Sequence, residues 1–135
     1  MAKITAIMTD LNKVANGVWV PYAEGIELCI AGQNNEAYKK KRNLLMKPYL
    51  KQSRAKALTA DDVLDIIKPA VAEHLLVGWR NIEDETGNPI PYSTEKALEF
   101  FKNPALSDLY NFVLETAGES DVFKRELLED AEGNS

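Results

Sequence analysis

Apolar positions first recur every second residue and then every third or fourth. Ile26, Leu28 and Ile30 alternate with Glu27 and Cys29, the signature of a half-buried strand. Val18-Trp19-Val20, just upstream, is β-branched and aromatic. Pro21 lacks an N–H and so belongs at a strand end or edge. Tyr22-Ala23-Glu24-Gly25 connects the two runs, and 17–31 reads as a β-hairpin.

Beyond it the period is helical. Asn34 and Asn35 are N-caps for a helix from Glu36 to about Met46, with Tyr38, Leu45 and Tyr49 on one face. Pro48 cannot continue that helix without a kink but can open a new turn. Thr59 caps a second helix with Asp61 and Asp62 in its first turn, where the dipole favours carboxylates. Leu64, Ile67, Val71 and Leu75 form its stripe, widened by Val63, Ile66, Ala70 and Leu76. Pro69 should kink or split it, and Gly78 reads as its C-terminal stop before Trp79. Residues 80–92 read as loop and turns. Ser93 caps a helix from Thr94 to about Lys102 that buries Ala97 and Phe101. Asn103-Pro104 caps and opens another, striped by Leu106, Leu109, Tyr110 and Val113 and ended by Gly118. Ser120 caps a last, acidic helix over about 120–132, carrying Phe123, Leu127 and Leu128.

The expected fold class is therefore α+β, mostly α-helical, an N-terminal β-hairpin followed by five or six helices. A chain of 135 residues reads as one domain over 1–135: hairpin 17–31, helical body 34–118, C-terminal helix 120–132. The composition is ordinary for a globular protein, 45% hydrophobic and 27% charged, which argues against wholesale disorder. One Cys excludes an intramolecular disulfide framework and a Cys-rich zinc site, and one His excludes a His-pair metal motif. No apolar run reaches the ~18 residues of a membrane span, and the N-terminus does not read as a signal peptide. The expectation is a soluble protein of a reducing compartment, with no cofactor.

Charge is polarised. The formal net charge is −5, yet residues 36–56 hold eight basic side chains against Glu36 alone, net +7, while 57–135 are net −11. Such a segment, with Lys39, Lys40 and Arg42 at its centre, suits an anionic partner or an acidic surface of the protein itself; a solvated helix face is the plainer alternative. Tyr38 and Tyr49 interleave it, but no nucleic-acid-binding motif accompanies it, and binding of nucleic acid through the basic helix 39–56 stands as the alternative reading. Catalysis finds little support. Cys29 in the hairpin and His74 in an apolar helix would have to meet in space with a third orienting group. Asp61 and Asp62 fit helix-start duty, and Asp84-Glu85-Thr86-Gly87-Asn88 lacks the ligand spacing of a calcium loop. No catalytic and no metal-binding residue is expected.

Two stretches carry a resemblance. One is Trp19-Val20-Pro21-Tyr22-Ala23-Glu24-Gly25-Ile26-Glu27-Leu28-Cys29-Ile30-Ala31-Gly32, followed by Asn34-Asn35-Glu36-Ala37-Tyr38. The other runs from Val77-Gly78-Trp79-Arg80-Asn81-Ile82-Glu83-Asp84-Glu85-Thr86-Gly87-Asn88-Pro89-Ile90-Pro91-Tyr92-Ser93 into Leu98. Their order and separation resemble the tail assembly chaperones of long-tailed bacteriophages and prophages, over roughly 17–115. The resemblance implies a non-catalytic protein of the host bacterial cytoplasm, absent from the finished virion. It would bind the tape measure protein, keep it soluble and help recruit tail tube protein, in part through a longer form made by ribosomal frameshifting. Many copies along one client would imply weak self-association. A client helix needs an apolar groove rimmed by charge. Phe100, Phe112 and Leu114 lie off the core stripes; completing the core of a two-sided packed helix is the plainer reading, and exposure at such a surface, beside Lys39, Lys40 and Arg42, is the functional one. Trp79 and Tyr92 bound the second motif, with anchoring of its loop their first role and client contact their second.

Overall fold

A computed structural model of the protein describes residues 1–51 and 58–125. The expected class holds: the described residues form six α-helices and a small antiparallel sheet. After a 3₁₀ turn at Ile4–Ile7 come α1 (Leu11–Asn16), β1 (Val18–Pro21), β2 (Glu27–Ile30) and α2 (Glu36–Met46). Then follow α3 (Ala60–Ile66), α4 (Lys68–His74), β3 (Leu76–Arg80), α5 (Thr94–Lys102) and α6 (Ser107–Ala117). The strand order is β1-β2-β3.

The hairpin forms as expected. Trp19 pairs with Cys29 and Val20 with Leu28, and Pro21 ends edge strand β1. Glu24 and Gly25 both take positive φ, 53° and 78°, as a type I′ turn requires. The sheet also has an unexpected third strand. β3 pairs with β2, Leu28 opposite Trp79 and Cys29 opposite Gly78, where a helix end was expected. Gly78 is no helix stop. A Cβ there would stand 3.3 Å from that of Cys29 and 3.4 Å from the Trp19 ring, so the glycine lets the indole lie across the sheet. Alternation turns Val20, Leu28 and Trp79 toward the helices and Trp19, Glu27 and Arg80 to the other face.

The helix expected over 60–76 splits at Pro69 as anticipated. α3 ends at Ile66, and α4 restarts with the proline in its first turn, where the missing N–H costs nothing. Thr59 and Asp62 close a reciprocal capping box, which accounts for that carboxylate without a metal. α4 lies at the centre, against α2, α5 and β3. Val71 and Leu75 from this region, with Leu28, Ile30, Leu76 and Val113, are the largest fully buried side chains, each worth about 1.5–3 kcal/mol of burial.

Two further expectations need correction. Helix α1 precedes the hairpin; six residues are too few for the sequence to show a full amphipathic period. The segment expected to run as a helix from Ser120 makes only a 3₁₀ turn, Ser120–Phe123, with Glu119 and not Ser120 at its N-cap. Lys124 is then extended (φ −76°, ψ 156°) and bridges to Thr9. Buried Phe123 draws the chain onto α1 instead. The rest of the expected helix, 126–132, and residues 52–57 of the basic segment lie outside the described residues.

Candidate partner-binding surface

The second motif closes one edge of the sheet. Trp79 faces the core from β3 and its Nε1 donates to the Ile90 carbonyl at 2.8 Å. The Tyr92 ring meets the indole edge-on, 5.0 Å between centroids, and its hydroxyl lies 2.6 Å from the Leu76 carbonyl and 3.0 Å from that of Ala72. Phe100 of α5 stacks on the other side of Trp79 at 5.1 Å. Trp79, Tyr92 and Phe100 thus form one cluster, with Trp79 buried and the other two half-buried. Burial pushes the Tyr92 hydroxyl above the usual tyrosine range.

Between them the loop is set by local chemistry. Asp84 Oδ1 accepts from the N–H of Thr86 and Asn88 and from the Thr86 hydroxyl at 2.7–3.0 Å, while Gly87 supplies φ 87°. These bonds hold the Asp84 carboxyl below the usual carboxylate range. Its Oδ1 is thus engaged by the loop itself, the hydrogen bonding of a turn.

The other candidates lie apart. Phe112 is half-buried against Tyr22 at the hairpin tip, 4.8 Å between rings, and Leu114 is half-buried against the core. Phe100, Phe112 and Leu114 therefore complete the core, the plainer of their two readings, and do not stand exposed at a client surface. Their positions off the stripe of one helix are taken up by the hairpin and by β3, partners that helical periodicity does not show. Lys39, Lys40 and Arg42 are exposed on α2. Lys39 is tied to Glu36 at 3.1 Å, and half-buried Lys41 reaches Glu73 of α4 at 3.6 Å. Arg42 flanks Tyr38, while Lys40 lies well round the helix from both.

The exposed apolar groups are others. Ile4, Ile7 and Leu11 are 69%, 66% and 76% exposed, with Met8 beside them; Leu44 and Leu50, at the end of α2, are 63% and 60% exposed. No helical period in the sequence marks these positions as one face: the 3₁₀ turn ends at Ile7, Met8 and Asp10 are extended, and Leu11 opens α1. A clasp of both chain ends supports this N-terminal patch: Asp10 N–H donates to Phe123 O at 2.7 Å, Arg125 N–H to Met8 O at 3.2 Å, and Lys124 Nζ to Ile7 O at 3.0 Å. The sheet's outward face is modest by comparison. Arg80 stacks at 4.1 Å over half-exposed Trp19 and pairs with Glu27 at 2.9 Å.

Cys29 is buried, its Sγ 3.7 Å from the Asn16 carbonyl, and burial pushes its thiol up, away from an activated thiolate. No cluster of three or more potential metal ligands occurs among the described residues, nor does any helix there have the length and apolarity to cross a membrane.

The molecule is thus an aromatic-clamped helical body with apolar and basic side chains turned outward. A family model described as YdaY prophage protein matches residues 33–134, from the turn before α2 onward, and the chain belongs to that family. No curated protein and no solved structure matches it.

Proposed function

We propose that the chain is a non-catalytic tail assembly chaperone. It binds the tape measure protein in the host cytoplasm, keeps it soluble, helps recruit tail tube subunits and leaves before the particle is finished. Membership of a prophage family and the two motifs that resemble tail chaperones support this reading. The observation that carries it is the exposure of Ile4, Ile7, Leu11, Leu44 and Leu50 on a body whose motif aromatics are engaged internally. Apolar side chains presented in groups, with cations beside them, suit transient cover of an amphipathic helix. The client surface in this reading lies at these groups, and Trp79 and Tyr92 shape the body that presents them.

Deleting the gene from an inducible prophage tests the proposal. Induced cells should yield heads without tails, restored by the gene in trans. Purified complete particles should lack the protein when analysed by mass spectrometry. Normal tails without the gene, or the protein found in finished tails, would contradict it. A longer, frameshifted form would appear in the same cells as a second band sharing its N-terminal peptides.

A further inference from the structure

Helix α2 divides its charges unequally. At 100° per residue, buried Tyr38 and half-buried Leu45 mark the inner face. Ala37, Lys40 and Leu44, and Lys47 just past the helix end, follow at i, i+3, i+7 and i+10 along the outer side, all exposed, where Glu36 stands one turn before Lys40 and is paired with Lys39. Lys39 and Lys41 are occupied by Glu36 and Glu73. Lys40 and Lys47 have no ion pair or hydrogen-bond partner for their side chains among the described residues, and between them stands Leu44. Exposed Leu50 continues the strip beyond the helix end. Two free cations on either side of an apolar side chain complement a helix with a leucine seam flanked by carboxylates.

We propose that the Lys40–Leu44–Lys47 strip of α2 docks an acidic amphipathic helix of a protein partner. This rests on the chaperone reading only for the partner's identity as a tape measure segment; the charge and seam it requires are set by α2 itself.

The test uses the full chain and two synthetic helical peptides with the same leucine seam, one flanked by glutamates and one by lysines. The glutamate peptide should bind, and the lysine peptide should not. Lys40→Glu with Lys47→Glu should weaken binding about tenfold, and Leu44→Ser should weaken it severalfold. Arg42→Glu, which reverses a charge on the other flank of α2, should leave it nearly unchanged. Circular dichroism melts should match the parent, since these side chains are exposed.

Equal binding of both peptides, an equal loss with Arg42→Glu, or indifference to Leu44→Ser would overturn the assignment. So would a short DNA duplex that binds with the same dependence on Lys40 and Lys47, which would make the strip a polyanion site. Salt-sensitive self-association abolished by the same reversals would replace the foreign helix with a second copy. If the glutamate peptide fails while tape measure protein is still kept soluble, the strip alone falls. If the peptide binds but tape measure protein is neither bound nor solubilised, the chaperone reading alone falls.

Discussion

At the residue scale, the side chains that hold the body together are polar or aromatic groups with one indispensable partner. The Tyr92 hydroxyl meets the Leu76 carbonyl on the outer edge of β3. Tyr92→Phe leaves that carbonyl without its partner and should cost about 1–2 kcal/mol, visible as a melting temperature lower by roughly 3–8 °C. Gly17 is equally constrained, with φ 91° and a site for Cβ only 2.8 Å from Cys29 Sγ. Gly17→Ala should therefore destabilise by more than the ~1 kcal/mol of an ordinary glycine exchange, measured by urea titration. Burial raises the hydroxyls of Tyr38, Tyr92 and Tyr110, the last well beyond the ordinary range; Tyr110 also donates to the Leu64 carbonyl. Because the folded state retains these protons longer, their contribution is intact below the unfolded tyrosine value of 10.0 and is lost as pH rises above it. Denaturation midpoints should fall from about pH 10 upward, together with tyrosinate absorbance.

At the element scale, caps and breaks were readable and tertiary pairing was not. Asn35, Thr59 and Ser93 each accept from the backbone N–H three residues on, as their place before an apolar period implied. Pro69 split its helix because proline removes one bond wherever it falls. β3 was misread because Leu76 and Val77 prolong the apolar stripe of α4, and a short apolar run has no period of its own. Only the neighbouring β2, and Trp19 lying over Gly78, make it a strand. The N-terminal patch was not legible, since Ile4, Ile7 and Leu11 belong to no single helix and exposure depends on what fails to pack against them. Asn35 joins three elements. Its side chain accepts from Tyr38 N–H at 2.8 Å and donates to Gly32 O and His74 O at 2.8 and 3.1 Å, all from a buried position. Asn35→Ala should cost about 2–4 kcal/mol, several times a solvent-exposed cap, whereas Thr59→Ala should cost ~1 kcal/mol; chemical denaturation separates the two.

At the scale of the whole molecule, what the sequence shows as one basic block becomes two kinds of surface. Lys39 and Lys41 of the block are paired with Glu36 and Glu73, while Lys40 and Lys47 stand exposed, the side that the proposed docking uses. The candidate motifs likewise divide. Trp79, Tyr92 and Phe100 are brought together as a clamp, while Phe112 and Leu114 close the hairpin and core elsewhere. Packing neighbours decide which side chains stay exposed, and these come from elements far apart in the chain, so the site was less readable than the helices that carry it. In the proposed role, a body stabilised from within would engage and release a client without unfolding. The most direct measurement is co-expression of the chain with the tape measure protein of the same prophage, followed by fractionation and a tagged pull-down. The account predicts that tape measure protein moves from the pellet to a soluble complex retained on the tagged chain. Tape measure protein that stays insoluble and unbound, with this chain and with any longer frameshifted form, would contradict it.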